Sequence, residues 1–526
     1  MKVLVLDGVS EEGLVPFRED PSLEVDIKNK LTEDELVEII PQYYAMIVRS
    51  ATKVTPRVLE HASNLVVVGR AGVGVDNIDL AAATNKGVLV VNAPDGNTIA
   101  AAELTMAMIL GLSRSVPQAN AKLRAGNWDK KSFMGVELRG RTLGVLGMGR
   151  IGSNVAKRAL AMEMNIVAYD PYINEEAAAK MGVKVLPLED VLKQADFLTI
   201  HMPKTKESYH MINEKTIGLM KDGVRIINCA RGGIIDEEAL YNAIKSGKVA
   251  GAALDVFEKE PNTDSPLYEF NNVIMTPHLG ASTEEAQLNV AVDVAKEIVA
   301  ALKGDVVKNT VNIPSLDAKT MAAVKPYLDL AGKLGNFHAQ MITGRVNKVE
   351  LIYSGELAMQ QVAPITTAFL KGMLDPILQE NVNFVNASVI AKSRGIEVIQ
   401  TTAEMGKDYN NLMTAKVYCE SGEKVLAVTL LQGNDARLVN IDGYRVDVVP
   451  SGHMLVVPHY DRPKIIGRVG TLIGEHDINI AAMQVGRKEI GGKAVMVLAI
   501  DDVVPDETLK AIAQIDGILD VKFVSL

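Results

Sequence analysis

Leu146-Gly147-Met148-Gly149-Arg150-Ile151-Gly152 is the stretch on which the reading of this 526-residue chain turns. An apolar run, Thr142 to Leu146, leads into it. Ile151, Val155, Ala156, Ala159 and Leu160 follow at helical spacing, and a second apolar run, 165–169, ends at Asp170. The order is strand, glycine turn, helix, strand, acid. Glycines let a backbone turn sharply and approach a pyrophosphate, whose charge suits the free N–H groups and dipole of a helix N-terminus. An acid about 20 residues beyond the first glycine is placed to meet an adenosine ribose. A carboxylate there repels a 2′-phosphate, so NAD is expected rather than NADP. The rival reading is a glycine-rich βα turn in some other α/β domain.

Bulk properties narrow the function. Net charge is −10, which argues against non-specific nucleic-acid binding and against an anionic membrane surface. A small anionic ligand would need a local basic pocket. Cys229 and Cys419 are the only cysteines, so neither a disulfide framework nor a cysteine metal site is expected, and no metal is assigned. The chain opens on a strand-like run from Lys2 to Leu6 rather than a signal peptide, and no apolar run approaches about 18 residues. A cytoplasmic protein is expected. Aromatic residues make up 4% of the chain, with Trp128 the only tryptophan, which leaves little platform for stacking bases.

Working outward, apolar runs at 3–6, 45–48, 65–68 and 88–91 alternate with helical stretches. They predict a parallel sheet over residues 1–97. Thr32 with Glu35 reads as a capping box and Thr55-Pro56 as a helix start. A long apolar helix over 98–113 would cross into a second unit, 98–283, with strands at 142–146, 165–169, 197–200, 224–228, 250–254 and 273–275. A helix over 284–303 would return to the first unit, and 309–314 reads as a linker. Residues 314–450 change to valine-rich strand-like runs around a helix at 365–378. His338 and Cys419 lie there as lone residues with ordinary structural roles. Residues 453–526 show the βαββαβ order of a ferredoxin-like unit.

Oxidising an alcohol by hydride transfer needs a base for the hydroxyl proton, and a histidine backed by a carboxylate serves near neutral pH. An arginine can grip a substrate carboxylate through two hydrogen bonds. Arg231, Glu260 and His278 each follow a predicted strand of the second unit, at the sheet edge where α/β folds bind ligands. Taken singly they read equally as a surface cation, a solvated loop acid and a turn residue. The glycine loop from Gly69 to Asn77 has backbone N–H groups able to cradle an anion, with Arg49 and Arg70 adding positive charge. The alternative is a glycine turn with two solvent-facing arginines.

Six stretches carry a family resemblance: GRAGVGVDNID (69–79), GNTIAAAE (96–103), LGMGRIG (146–152), NCARGGIID (228–236), ALDVFEKEP (253–261) and TPHLGAST (276–283). Over residues 1–313 the chain resembles the D-2-hydroxyacid dehydrogenases, and within them the long, phosphoglycerate-oxidising members. The resemblance implies two Rossmann-like doubly wound domains, an α+β intervening domain and a C-terminal ACT domain. Residues 1–97 with 284–313 would bind substrate, 98–283 would bind NAD, 314–450 would intervene, and 453–526 would form the ACT domain. The implied reaction is NAD-linked oxidation of 3-phosphoglycerate on the route to serine. His278 would be the acid/base, Glu260 its partner, and Arg231 the carboxylate grip. Arg49, Arg70, Val73, Gly74 and Asn97 would hold substrate. Gly147, Gly149, Arg150, Ile151, Gly152 and Asp170 would hold NAD, with Thr98 and Asp255 near the nicotinamide. Hinges are expected near Asn97 and Glu284, and a homodimer or homotetramer as the assembly. His459, Asp461 and Asn479 match the positions that bind an L-serine effector in some members. Two departures stand out. Lys464 replaces the glycine usual after the Arg-Pro pair, and Lys130 stands where some relatives send an arginine into a neighbour's site. The rivals are a glyoxylate or hydroxypyruvate reductase and an NAD-sensing corepressor-like scaffold.

Overall fold

The computed structural model describes residues 1–29, 31–314, 318–378, 381–403, 409–431 and 435–526. The first sheet comprises β1 (Lys2–Val5), β2 (Glu24–Ile27), β3 (Ala45–Val48), β4 (Val67–Arg70) and β5 (Leu89–Asn92), all parallel, in the order β2-β1-β3-β4-β5. Helices cover both faces, so β3 is buried along its whole length, as parallel strands usually are. The predicted capping box forms: Thr32 Oγ1 accepts from the Glu35 N–H, and Glu35 Oε2 accepts from the Thr32 N–H. β2 was not predicted. Its Glu-Val-Asp-Ile sequence belongs to a half-exposed edge strand with no apolar run. β4 begins two residues later than the 65–68 expected, because Val66 is exposed and only the following residues join the ladder.

The second sheet contains β6 (Thr142–Leu146), β7 (Asn165–Tyr169), β8 (Val183–Val185), β9 (Phe197–Ile200), β10 (Val224–Asn228), β11 (Val249–Leu254) and β12 (Val273–Met275). Its order, β12-β11-β10-β9-β6-β7-β8, reverses direction between β6 and β9. That reversal opens the crevice in which such sheets bind ligands. The Thr98–Arg114 helix leaves the first sheet and buries Ala102, Met106, Met108, Ile109 and Leu112 in the core of the second. The Glu284–Lys303 helix comes back. Val290, Ala291, Val294, Ala295 and Ile298 pack on the first sheet, and Gly304 caps the helix in the left-handed region. Asn312 then ties the chain to β5, accepting from the Val90 N–H (2.9 Å) and donating to the Val88 carbonyl (2.9 Å).

The third sheet is β13 (Val346–Gly355), β14 (Glu397–Ala403), β15 (Asn411–Cys419), β16 (Gly422–Leu431), β17 (Asp435–Ile441) and β18 (Tyr444–Val448), in the order β14-β13-β15-β16-β17-β18. Only β13 and β14 pair in parallel. The Ala318–Met341 and Ala363–Leu374 helices cover it. His338 is buried against Phe369, and burial pushes its imidazole down to about 3, so it is neutral near pH 7. The fourth sheet is β19 (His453–Tyr460), β20 (Ile480–Arg487), β21 (Lys493–Ile500) and β22 (Lys522–Ser525), antiparallel, in the order β20-β21-β19-β22. Strand alternation divides its burial. Leu455, Val457, Met496 and Leu498 face its own helices, while Met454, Val456, Val495, Val497 and Val524 join the core of the third sheet. The last two sheets therefore share one apolar interior. Among the described residues no single helix is long and apolar enough to cross a membrane.

Candidate active site

The turn after β6 has the geometry its glycines suggest. Gly147 sits at φ 93°, and a Cβ there would lie 2.6 Å from the His201 carbonyl oxygen. A Cβ on Gly152 would lie 2.0 Å from the Gly147 carbonyl oxygen, so the helix packs directly on the turn. Gly149 faces open space and, as N-cap of the Arg150–Ala161 helix, offers no side chain to its first N–H groups. Those donors are free for an anion. Ile151 lies in the helix's first turn. Asp170 folds back to the turn, accepting from the Met148 N–H and the Tyr172 N–H, both at 2.8 Å. Asn97 Oδ1 and Thr98 Oγ1, at the start of the crossing helix, are buried with no partner. A Cβ on Gly280 would come within 4.0 Å of Ala101 Cβ, so this helix start lies beside the turn carrying His278. An open glycine turn, uncapped donors, a facing acid and two orphaned polar atoms fit a dinucleotide.

His278 follows β12 in the left-handed region, at φ 56°. Its Nδ1–H donates to Glu260 Oε2 at 2.8 Å, and in the neutral ring this tautomer puts the lone pair on Nε2. Burial alone would raise the Glu260 carboxyl. The hydrogen bond from His278, the Phe257 N–H and the charges of His278 and Arg231 together hold it below its usual range. Asp255 is fully buried and organises the His278 turn. It accepts from Thr276 Oγ1 (2.6 Å) and from the N–H groups of Leu279 (2.7 Å) and Gly280 (2.9 Å). Burial lifts its carboxyl above the ordinary value. The expectation placed Asp255 beside the nicotinamide. The structure ties its oxygens to the turn, because a buried carboxylate needs hydrogen-bond donors.

Opposite lies a cationic pocket. Arg231 follows β10, in a loop shaped by Asn228, whose side chain accepts from the Ala230 N–H (3.0 Å) and donates to the Arg231 carbonyl (2.9 Å). Its Nη1 donates to the Ala230 carbonyl at 2.7 Å. From the first sheet come Arg49, after β3, and Arg70, at the end of β4. Burial, then the charges of Arg231 and Arg49, push the Arg70 guanidinium down to about 10, and its Nε has no partner. Burial also lowers Arg49, against the pull of Asp7. Gly74 abuts Arg231, since a Cβ there would lie 2.2 Å from its Nη2, and the neighbouring Val73 carbonyl is held by Asn92 Nδ2 at 2.6 Å. Three guanidiniums crowding one another describe a space made for an anion.

Several partners were not foreseen. Asp95 of the crossing segment pairs with Arg150 of the nucleotide turn at 2.5 Å, and Asp76 pairs with Arg231 at 3.3 Å. Glu258 Oε1 accepts from His210 Nε2 (3.0 Å) and the Glu237 N–H (3.1 Å), and the Glu258 N–H donates to Glu237 Oε1 (2.6 Å), bracing the loop that carries Glu260. His201, after β9, keeps a buried Nδ1 without a partner. Each pair is far apart in sequence, and no spacing rule joins them.

The expected effector residues are scattered in role. His459 is 1% exposed and bonds its own strand through Val457. Asp461 is held by Arg487 Nη1 at 2.9 Å. Asn479 is exposed and donates to Asp501 Oδ2 at 2.8 Å. Lys464 adopts φ 76°, the left-handed conformation that a glycine would reach without strain.

Three family profiles match the chain. They describe the NAD binding domain of the D-isomer specific 2-hydroxyacid dehydrogenases over residues 106–280, the D-3-phosphoglycerate dehydrogenase intervening domain over 323–442 and the ACT domain over 453–517. The D-3-phosphoglycerate dehydrogenase of Methanocaldococcus jannaschii is 48% identical, covering 100% of both chains. That of Bacillus subtilis is 45% identical, covering 100% of this chain and 99% of its own. The crystal structure of a D-lactate dehydrogenase from Aquifex aeolicus, complexed with NAD and lactic acid, is 34% identical with a TM-score of 0.53. It covers 60% of this chain and 100% of that one.

Proposed function

We propose that this chain, which belongs to the D-3-phosphoglycerate dehydrogenase family, oxidises 3-phospho-D-glycerate to 3-phosphohydroxypyruvate with NAD, the first step of L-serine synthesis. The observation that carries this reading is the Arg49–Arg70–Arg231 pocket beside the His278–Glu260 dyad. The substrate brings about three negative charges near neutral pH, one from its carboxylate and the rest from its phosphate. Arg231 and the N–H groups of Val73 and Gly74 hold the carboxylate, while Arg49 and Arg70 face the phosphate. Asn97 and Thr98, whose buried side-chain oxygens have no partner, are assigned to substrate and nicotinamide. Bound NAD supplies the hydride acceptor for C2. His278 Nε2 takes the C2 hydroxyl proton, and the Glu260 carboxylate stabilises the imidazolium that results. Asp170 faces the Gly147 turn, where it favours the ribose 2′-hydroxyl of NAD over the 2′-phosphate of NADP.

We assign substrate binding to residues 1–97 with 284–313, because the Glu284–Lys303 helix packs on the first sheet, and NAD binding to 98–283. The experiment follows absorbance of the reduced nicotinamide with 3-phospho-D-glycerate and with D-glycerate. A kcat/KM at least about 100-fold higher for the phosphorylated acid is expected, since each charge-assisted contact contributes roughly 1.5–3 kcal/mol. Equal values would make the protein a reductase of unphosphorylated acids. L-Serine added to the same assay checks the effector, for which Asn479 is the exposed contact. The Val116–Arg124 helix buries none of its residues, and Trp128 and Met134 nearby are 78% and 89% exposed. We assign this surface to a second copy of the chain, and a single-chain mass by light scattering would overturn that assignment.

A further inference from the structure

A guanidinium presents a two-donor edge made of Nε and Nη2, which suits a carboxylate side-on. In Arg231, Nη1 is already committed to the Ala230 carbonyl, so the Nε/Nη2 edge is the one left for a ligand. An acid stands at that edge as an ion-pair partner. Asp76 Oδ2 lies 3.3 Å from Arg231 Nε, reaching across the cleft from the glycine loop after β4. The same point in space is crowded from a third direction. A Cβ built on Gly74 would lie 2.2 Å from Arg231 Nη2 and 2.9 Å from Asp76 Oδ2. Guanidinium edge, aspartate oxygen and Gly74 backbone therefore converge where the substrate carboxylate is assigned. Asp76 has no structural duty that would account for its position. Its carboxylate makes no hydrogen bond and no other ion pair among the described residues, and its side chain is 74% exposed.

We propose that Asp76 is a built-in competitor, a carboxylate that pairs with the ligand edge of Arg231 before substrate binds and must be displaced by the carboxylate of the incoming 2-hydroxy acid. This rests on the reading of Arg231 as the substrate's carboxylate grip. Asp76 faces a set of charges rather than a single one. Arg231, Arg70 and Arg49 lie on the basic side, and Asp7, the other acid acting on Arg70, is tied to the Arg49 N–H and to Thr52. Before substrate binds, Asp76 offsets the mutual repulsion of the three arginines and pairs with Arg231. Once ligand is bound, its charge lies beside an anion and weakens the complex, which also favours release of an equally anionic product.

Asp76→Asn is nearly isosteric and removes the charge at an exposed position, so the fold should be unaffected. Two measurements separate this proposal from the reading beneath it. The KM for 3-phospho-D-glycerate should fall about two- to five-fold, the range spanned by an exposed ion pair. The calorimetric Kd of oxalate, a plain dicarboxylate probe, should fall by a similar factor in the presence of NADH. The NADH affinity itself should stay unchanged. If the parent chain fails to turn over 3-phospho-D-glycerate, the assigned reaction is wrong, and the oxalate Kd still judges Asp76. An oxalate Kd that is unchanged or raised in Asp76→Asn would overturn the proposal, because it would make Asp76 a contact that orients Arg231 for its ligand rather than one that competes with it.

Discussion

Replacing His278 with alanine is expected to lower kcat by about 10²–10⁴-fold, the usual contribution of a positioned general base, with little change in the NADH dissociation constant. The imidazole stands on a turn that Asp255 ties down through Thr276, Leu279 and Gly280, so its loss should leave the loop and nucleotide turn in place. Stopped-flow turnover and a fluorescence titration of NADH separate the two quantities, and near-normal turnover would remove His278 from the chemistry. Glu260→Gln sharpens the test. The His278 hydrogen bond and charge help hold the Glu260 carboxyl below its usual range, so the carboxylate faces the imidazole as a full negative charge. Removing that charge should reduce kcat, because the imidazolium formed as the hydroxyl proton is taken loses its counter-charge. The sign for stability follows from the same depression. A lowered carboxyl contributes stability that is fully present above its unfolded value and is lost as pH falls through the folded one. Glu260 is half-exposed, so that contribution is small.

The parts of this architecture readable from sequence are those where one physical signal dominates. β6, β7, β9, β10 and β12 lie where continuous apolar runs predict them, because central parallel strands are buried on both faces. β2 and β8 escape because edge strands need no such run, and Glu24–Ile27 and Val183–Val185 each carry charge. The Ala318–Met341 helix escapes for another reason. It contains Pro326, and its apolar residues are arranged to meet a neighbouring helix and sheet rather than to form a strong stripe. The site divides in the same way. Arg231, Glu260 and His278 were visible because strand ends are where open α/β sheets place ligand contacts. Asp76, Asp95 and Glu258 were not, because each acts through a partner on a different segment, and only the folded chain reveals the pairing. His459 illustrates the converse. Matching position suggests a ligand contact, and no sequence signal shows that this β19 residue turns inward and is buried.

Arg231→Ala should cost about 10²–10⁴-fold in kcat/KM, since it removes two charge-assisted hydrogen bonds of roughly 1.5–3 kcal/mol each. The loss should appear in both kcat and KM. The guanidinium anchors the carboxylate that orients C2, so its absence weakens binding and leaves the hydroxyl poorly aimed at His278 Nε2. Arg231→Lys should recover little, because an ammonium is a point charge and cannot present a planar two-donor edge. The fold should tolerate either change. Arg231 is partly exposed, and its removal relieves one of the two charges that press on buried Arg70. Neither circular dichroism nor NADH affinity should move, which separates a lost ligand contact from a damaged loop. Steady-state kinetics of both variants, with 3-phospho-D-glycerate at fixed ionic strength because these contacts are screened, measure the effect. A lysine variant within about five-fold of the parent would mean that Arg231 acts as bulk positive charge, and the side-on carboxylate geometry, with Asp76 as its competitor, would have to be abandoned.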